Sequence, residues 1–314
     1  YLEAKTLIEL FTEKFRIEDI FTNILIFESK KNIINKVVKR SAYIRSGGKV
    51  ISVSDSLDIP EELIEAVKGT FRVSFKRVCG KRRDLKYSEV VSKIGNAIKK
   101  AGGIVDLKAP EQEVYVIASD KIVIGIMEKR KDIKEFTRRI PKNRPGFHPC
   151  AMHPKLARAM VNLMKLKHGT AFDPFVGTGS IPIEASLIGL YALGMDRSKK
   201  MVKMAIKNLK FLNLDAKIFI GDARRIPVKN VDGIATDPPY GRSSKVFNVP
   251  VPELYCDFIS QIPEILKKGS RAVICSDEKL NIFDMIEDAG MKEVLHSNIK
   301  VHKTLVRRLS VIEA

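Results

Sequence analysis

The chain has 314 residues, of which 45% are apolar, so it is long enough for two or three domains with separate cores. No apolar run reaches the roughly 18–20 residues that a membrane-spanning helix needs, so the sequence excludes a protein built on such spans. Basic residues number 56 against 37 acidic ones, and both halves of the chain share the net charge of +19, which favours a polyanionic partner.

The cysteines are scattered and form no CxxC pair: Cys79, Cys150, Cys256 and Cys275. This spacing argues against a disulfide scaffold and a zinc knuckle, and it favours a reducing cytoplasm. The sequence begins with Tyr1 rather than Met, so we expect the natural chain to begin earlier.

Residues 1–58 are predicted to form a small α+β domain. The segment LEAKTLIELFTEKF has the apolar spacing of a helix, and NILIFES that of a strand. A second helix, NIINKVVKR, and a second strand, KVISVSD, complete the unit. Because small units of this kind usually begin with a strand, we expect the first strand to be missing from this sequence.

Residues 59–128 are predicted to form a second α+β domain, and residues 129–150 a linker. TFRVSFKRV alternates like a strand with one basic face, and SEVVSKIGNAIKKAGG has helical spacing. EVYVIAS and KIVIGIME follow as a strand pair. The next segment is basic, contains proline and shows little apolar periodicity, which is typical of a linker.

Residues 151–314 alternate between strands and helices. The predicted strands are TAFDPF, YALGMD, KIFIGDA, VDGIATDPPY and RAVICSD, and a final strand pair follows them. Strands that alternate with helices predict parallel βαβ units and a doubly wound α/β sheet.

Glycines and acids lie where these predicted strands end. Gly177 and Gly179 stand between a strand and a helix, where a loop can approach a ligand closely. Alone, such a G-x-G is only weak evidence, and a single Asp at a strand end is often a helix N-cap. Four strands end in acids, however, so we expect a nucleoside-binding rim formed by Asp173, Asp196, Asp222 and Asp237.

The stretch TDPPYGRSS follows a buried strand, which must stop there because proline cannot donate to a sheet ladder. A carboxylate and a rigid carbonyl can together accept both N–H bonds of an exocyclic amine and turn its lone pair toward a methyl donor. Tyr240 offers a face for a base that has left its stack. We therefore predict a catalytic set, with a merely structural turn as the alternative: Asp237, Pro238, Pro239 and Tyr240.

The motifs DPFVGTGSIPIEA, LGMD, GDAR and TDPPYG resemble those of Rossmann-like S-adenosylmethionine-dependent methyltransferases that act on exocyclic amines. The resemblance implies that S-adenosylmethionine is the cofactor. It assigns the methionine end to Asp173 and the loop Gly177, Thr178, Gly179. It assigns the ribose hydroxyls to Asp196, and the adenine to Asp222 and the backbone of Ala223.

The segments FRVSFKRV and EVVSKIGNAIKKAGGIVDLKAPEQEVYVIASDKIVIGI resemble a THUMP domain, an RNA-binding module of tRNA-modifying enzymes. The unit before it resembles the ferredoxin-like domain that usually accompanies THUMP. FHPCAMHPKLARAMVNL, together with TDPPYGRSS, is similar to the archaeal tRNA guanine-N2 methyltransferases that act on guanosine 10. In that family the HP element helps to cover the cofactor, although Cys150 stands here where we expect glycine.

Basic runs supply candidate tRNA contacts, although such runs are more often only solvated faces. Seven basic residues and one acid lie between Arg72 and Lys86, and a second run lies in the linker. We predict phosphate contacts at Lys76, Arg77, Arg82, Arg83, Arg138 and Arg139. His148, Cys150 and His153 lie close together, but no fourth ligand is evident, so we predict no metal site.

The sequence therefore predicts a monomeric, cytoplasmic, S-adenosylmethionine-dependent tRNA methyltransferase. It transfers one or two methyl groups to the N2 amine of a flipped guanine. Three alternatives stay open: a THUMP-type enzyme acting on guanosine 6, a DNA amino-methylase, and a non-catalytic RNA-binding or chaperone protein that keeps a methyltransferase-like fold.

Overall fold

A computed structural model describes residues 1–240, 249–302 and 305–314. The chain divides into two compact units. The first contains residues 1, 3–39 and 44–132, and the second contains residues 2, 40–43 and 133–314. None of the helices in these described ranges has the length and apolar character needed to cross a membrane.

The first unit is an α+β structure. Its elements and the helix that leads into it are α1 (Leu2–Phe11), β1 (Phe15–Phe21), β2 (Ile24–Ser29), α2 (Ile34–Arg40), β3 (Ser46–Ser54), α3 (Glu61–Ala66), β4 (Thr70–Arg77), α4 (Tyr87–Lys100), β5 (Ile104–Val105), β6 (Gln112–Ala118) and β7 (Ile122–Arg130). Strand β1 was not predicted. The preceding helix ends at Phe11 because Thr12 is extended, with φ −148°, and β1 then forms a hairpin with β2.

A five-stranded sheet in the order β3-β7-β6-β4-β5 forms the main layer of this unit. Helix α4 covers it with Val90, Ile94 and Ile98, whose spacing of four places them on one helical face. Strand β3 pairs with β7. The domain boundary predicted at residue 58 therefore falls between strands of one sheet.

The second unit continues through the rest of the chain. Its elements are α5 (Lys134–Thr137), a 3₁₀ turn (Pro141–Asn143), α6 (Pro154–Leu163), β8 (Thr170–Asp173), α7 (Ser180–Leu187), β9 (Tyr191–Asp196), α8 (Lys199–Phe211), β10 (Lys217–Ile220), β11 (Val231–Thr236), α9 (Val251–Ile259), α10 (Ile262–Ile265), β12 (Leu266–Asp277), α11 (Phe283–Asp288), β13 (Lys292–His302) and β14 (Leu305–Glu313). The predicted linker thus overlaps the end of β7 and contains α5 and the 3₁₀ turn.

Within the described part of this unit, seven strands form one sheet in the order β10-β9-β8-β11-β12-β14-β13. The first five are parallel, and β14 runs antiparallel to both β12 and β13. The predicted α/β class with a mostly parallel sheet is confirmed. The strand order reverses between β8 and β11, so the loops that follow these two strands diverge and open a crevice at their carboxyl ends.

The sheet of the second unit is buried on both faces. Ile234 and Ile274 belong to a core cluster on one face, whereas Ala235 and Val273 belong to the cluster on the other. Burial on both faces explains why these strands are nearly continuous apolar runs. It also leaves the carboxyl ends of the strands as the place where polar side chains gather.

Candidate active site

A glycine loop connects β8 to α7. Gly177 has φ 49° and Gly179 has φ 87°, conformations that favour glycine. A Cβ on Gly179 would lie 3.2 Å from the Cβ of Ala205, so a side chain there would also press on α8. The loop therefore requires glycine at position 179 both for its backbone conformation and for its packing.

Asp196, at the end of β9, holds this loop in place. Its Oδ2 accepts a hydrogen bond from the N–H of Gly177 at 2.9 Å, and its Oδ1 accepts one from the N–H of Ser198 at 2.8 Å. Burial raises the pKa of Asp196. Each carboxylate oxygen keeps a second acceptor position, which a ligand hydroxyl can use.

Asp173, at the end of β8, is buried with only 2% of its surface exposed. Its Oδ1 accepts hydrogen bonds from the Thr236 hydroxyl at 2.7 Å and from the N–H of Phe175 at 3.1 Å. Burial raises the pKa of Asp173 to about 8. The negative charges of Asp196 and Asp237 raise this pKa as well, whereas the two hydrogen bonds lower it. Three carboxyl groups thus share one site, which a cationic ligand would stabilise.

Asp237, directly after β11, is held by groups from several elements. The Tyr240 hydroxyl donates to its Oδ1, and Nη2 of Arg307 lies 3.5 Å from its Oδ2. Burial raises the pKa of Asp237, whereas Arg307, Tyr240 and the Cys275 thiol lower it. The guanidinium of Arg307 also lies 5.5 Å from the ring centroid of Tyr240. The tyrosine therefore holds the carboxyl group, a contact that the sequence did not indicate.

The Pro238 carbonyl also has a partner within the protein. The hydroxyl of Tyr255, a fully buried residue of α9, lies 3.4 Å from the oxygen of Pro238 and 3.5 Å from that of Cys275. Burial raises the pKa of Tyr255 well above its ordinary value, so the hydroxyl stays protonated and can donate. Nothing in the local sequence around Tyr255 indicated this contact.

One cavity of about 240 Å³ joins the glycine loop to the DPPY motif. The predicted site residues that line it are Asp173, Gly177, Thr178, Asp196, Ala223, Asp237 and Pro239. Gly179, Pro238 and Tyr240 adjoin these residues in the chain. Residues 241–244, which complete the TDPPYGRSS stretch, lie outside the described residues. The structure therefore brings most of the predicted cofactor and catalytic residues to a single crevice.

Asp222 lies next to the lining residue Ala223, and its carboxylate is engaged by arginine. It forms an ion pair of 2.7 Å with Arg224, and Arg197 lies 3.9 Å away. The hydrogen bond from Arg224 lowers the pKa of Asp222. Arg224 thus occupies the carboxylate that the family resemblance assigns to adenine.

The segment before α6 also lines the cavity, through His148, Cys150 and Met152. His148 Nδ1 accepts a hydrogen bond from the N–H of Cys150 at 3.3 Å. His153 Nδ1 accepts one from the N–H of Lys155 at 3.2 Å and caps α6. This HP segment therefore forms one wall of the cavity and can cover a ligand bound there.

Asn208 of α8 links this part of the chain to the glycine loop. Its Oδ1 accepts from the N–H of Gly146 at 2.7 Å, and its Nδ2 donates to the carbonyls of Gly146 at 3.0 Å and Thr178 at 2.9 Å. The side chain is fully buried, so these bonds satisfy an amide that water cannot reach.

The predicted RNA contact at Arg139 does not fit the structure. Arg139 is only 6% exposed, and its Nε donates to Glu184 at 2.6 Å. Glu184 is fully buried and also pairs with Arg158 at 2.8 Å. Arg139 therefore balances an internal charge on α7 and does not reach an external phosphate.

The other predicted RNA residues are more accessible. In the first unit, Lys76, Arg77 and Arg83 are exposed, and Arg82 donates to the carbonyl of Asp55 at 2.8 Å. In the second unit, Arg138 is exposed. The four residues of the first unit belong to the end of β4 and the loop that follows it.

Comparison with other proteins identifies the family. Residues 141–307 match the family model described as RMKL-like, methyltransferase domain. A tRNA (guanine(10)-N2)-dimethyltransferase of Methanothermobacter thermautotrophicus is 32% identical over 285 residues, which cover 88% of this chain and 84% of that protein. A protein of the same name from Pyrococcus abyssi is 34% identical over 269 residues, covering 83% and 80% of the two chains.

The fold has a counterpart among solved structures. The crystal structure of TrmN from Thermus thermophilus is similar with a TM-score of 0.52, covering 99% of this chain and 96% of that one at 21% identity. The family match and the two archaeal relatives agree with the motifs and with the shared cavity. The chain belongs to the RMKL-like methyltransferase family, together with these archaeal relatives.

Proposed function

We propose that the protein is a tRNA (guanine(10)-N2)-dimethyltransferase, which adds two methyl groups to the exocyclic amine of guanosine 10. The names of relatives that are 32% and 34% identical over most of the chain support this function. The observation that carries it is the shared cavity, in which Asp237 and Pro239 lie with Gly177 and Asp196.

The residues of the cavity fit S-adenosylmethionine as the cofactor. When bound, it supplies a methyl group activated by a positively charged sulfonium. Asp173 gives the cavity one buried carboxyl group and Asp196 and Asp237 two partly buried ones, and a cation relieves the repulsion among them. Asp196 can also accept ribose hydroxyls, and Ala223 lines the part of the cavity that we assign to the adenine.

Two oxygens behind β11 orient the guanine. The amine of guanine is a poor nucleophile because its lone pair is delocalised into the ring. Asp237 and the Pro238 carbonyl accept its two N–H bonds and turn the lone pair out of the ring plane. Tyr255 supports the carbonyl, and Tyr240 supports the carboxylate. Asp237 is also the base that takes the proton released when the nitrogen is methylated.

The basic residues of the first unit and Arg138 contact the phosphates of the tRNA. Residues 59–128 serve as a THUMP-type module whose sheet is completed by β3, and the remainder of residues 1–58 forms the ferredoxin-like part. The target guanine leaves its stack at a cost of a few kcal/mol. We assign the protein to the cytoplasm as a monomer, and its four free cysteines agree with a reducing compartment.

The decisive experiment maps methylated nucleosides. Unmodified tRNA is incubated with the protein and labelled S-adenosylmethionine, and a transcript lacking guanosine 10 and duplex DNA are treated in parallel. We expect N2,N2-dimethylguanosine at position 10 alone. Label at guanosine 6, or in DNA, would support an alternative enzyme. Calorimetry that detects no S-adenosylmethionine binding would instead favour a non-catalytic RNA-binding protein.

A substitution tests the catalytic carboxylate. Asp237→Ala should leave cofactor binding nearly intact, because Asp173 and Asp196 remain, and should raise the barrier by about 2–4 kcal/mol, the scale for removing one preorganised polar contact. The matched control is Asp232→Ala, because Asp232 lies on the same strand but pairs with Lys267 at 2.6 Å. Full turnover by Asp237→Ala would contradict the assignment.

A further inference from the structure

Ionisable side chains from four structural elements and from its own loop surround the carboxyl group of Asp237. Tyr240 comes from its own segment, Cys275 from β12 and Arg307 from β14. Asp173 of β8 and Tyr255 of α9 are also coupled to its charge. Of the groups named here from the described chain, Arg307 carries the positive charge.

We propose that Arg307 is a positioning residue for the reaction, which fixes the Asp237 side chain and holds it in the carboxylate form that the guanine amine requires. This inference rests on the proposed function, because the amine is the group that the carboxylate serves. Arg307 acts through Asp237 and takes no proton itself.

The geometry fixes the carboxylate from two sides. The Tyr240 hydroxyl reaches Oδ1, and Nη2 of Arg307 lies 3.5 Å from Oδ2. Arg307 also lies 5.5 Å from the ring centroid of Tyr240, within range of a cation–π interaction. One guanidinium therefore steadies both the carboxylate and the tyrosine that donates to it. The side chain of Arg307 is only 15% exposed, so water does little to screen this charge.

The same residue carries a buried donor that the described part of the protein leaves unsatisfied. Nε of Arg307 is buried and makes no hydrogen bond within the described ranges of the chain. A buried donor without a partner costs about 1–3 kcal/mol.

Electrostatics give the proposal a direction. Burial raises the pKa of Asp237, and the charge of Arg307 is the foremost influence that opposes this rise. Removing the cation should therefore raise the pKa further and leave less carboxylate at neutral pH. The acid limb of the rate profile should move to higher pH, and turnover should recover as the pH rises.

The test compares Arg307→Gln and Arg307→Lys with the wild type. The matched control is Arg308→Gln, because Arg308 is the next residue of β14 but pairs with Glu293 at 2.6 Å. With saturating tRNA and S-adenosylmethionine, Arg307→Gln should shift the acid limb of kcat upward by about one pH unit, which lowers kcat about tenfold at any pH on that limb. Arg307→Lys should keep the limb in place, and Arg308→Gln should match the wild type. Calorimetry of cofactor binding checks that each variant is folded.

A second readout does not depend on the substrate. The pKa of Asp237, followed by ¹³C NMR of protein labelled at aspartate, should rise in Arg307→Gln and stay unchanged in Arg308→Gln. An unmoved pKa, or an unmoved acid limb, overturns the role of Arg307 even when the wild type methylates tRNA. If the pKa of Asp237 rises in Arg307→Gln as expected but the wild type leaves guanosine 10 unmethylated, the proposed function is overturned instead.

Discussion

Replacement of Glu184 by Gln should destabilise the protein strongly. The carboxylate is fully buried and receives Nε and Nη2 of Arg139 at 2.6 and 3.1 Å, together with Nη2 of Arg158 at 2.8 Å. Gln keeps the volume of the side chain but removes the paired charge from the buried guanidinium of Arg158 and leaves Arg139 with the partly exposed Glu135. Breaking a buried ion pair by removing one partner costs about 3–5 kcal/mol. For a unit of this size, that corresponds to a fall in Tm of about 6–20 °C.

Urea and thermal unfolding measure this effect, and the chain provides its own control. Glu135 also pairs with Arg139, at 3.2 Å, but its side chain is 39% exposed. Glu135→Gln should therefore cost at most about 1 kcal/mol, as exposed ion pairs do. Equal losses in the two variants, or a loss below 1 kcal/mol for Glu184→Gln, would refute the argument from burial.

Three further predictions concern separate parts of the molecule. The wild-type affinity for cationic S-adenosylmethionine should rise between about pH 7 and 9, as the buried Asp173 ionises with its pKa of about 8. Asp173→Asn should abolish this dependence in calorimetry. Tyr255→Phe should slow single-turnover methylation about two- to tenfold, the effect of one lost hydrogen bond, and unchanged turnover would show that the Pro238 carbonyl needs no support. In filter binding, Lys76→Ala and Arg83→Ala should each reduce the slope of log tRNA affinity against log salt concentration by about 1. Lys100→Ala should leave this slope unchanged.

The strands of the second unit could be predicted because burial on both faces makes them apolar runs that end in polar residues. Asp196 and Asp237 could be located because each follows such an apolar run, and because parallel strands bring their carboxyl ends to one edge of the sheet. Strand β1 was missed because its residues alternate between partly buried and exposed, with charges at Arg16, Glu18 and Asp19. Its first residue, Phe15, also continues the apolar spacing of the preceding helix.

The errors at the site come from contacts between distant parts of the sequence. Arg139 was predicted to be exposed because composition counts charges without revealing their partners, and its partner Glu184 lies 45 residues away. Arg307 reaches Asp237 because β14 enters the sheet between β12 and β13, a topology that no local pattern indicates. Tyr255 reached Pro238 from a helix whose aromatic residues are indistinguishable from ordinary core residues in the sequence.

The side-chain amide of Asn208 links the segment before α6, which lines one side of the cavity, to the glycine loop on the other side. The same side chain holds Gly146 at the entrance to the covering segment and Thr178 in the glycine loop. A displacement of Gly146 would break its two hydrogen bonds to Asn208, and the same amide also holds the carbonyl of Thr178. These three hydrogen bonds therefore couple the position of the segment before α6 to the conformation of the glycine loop.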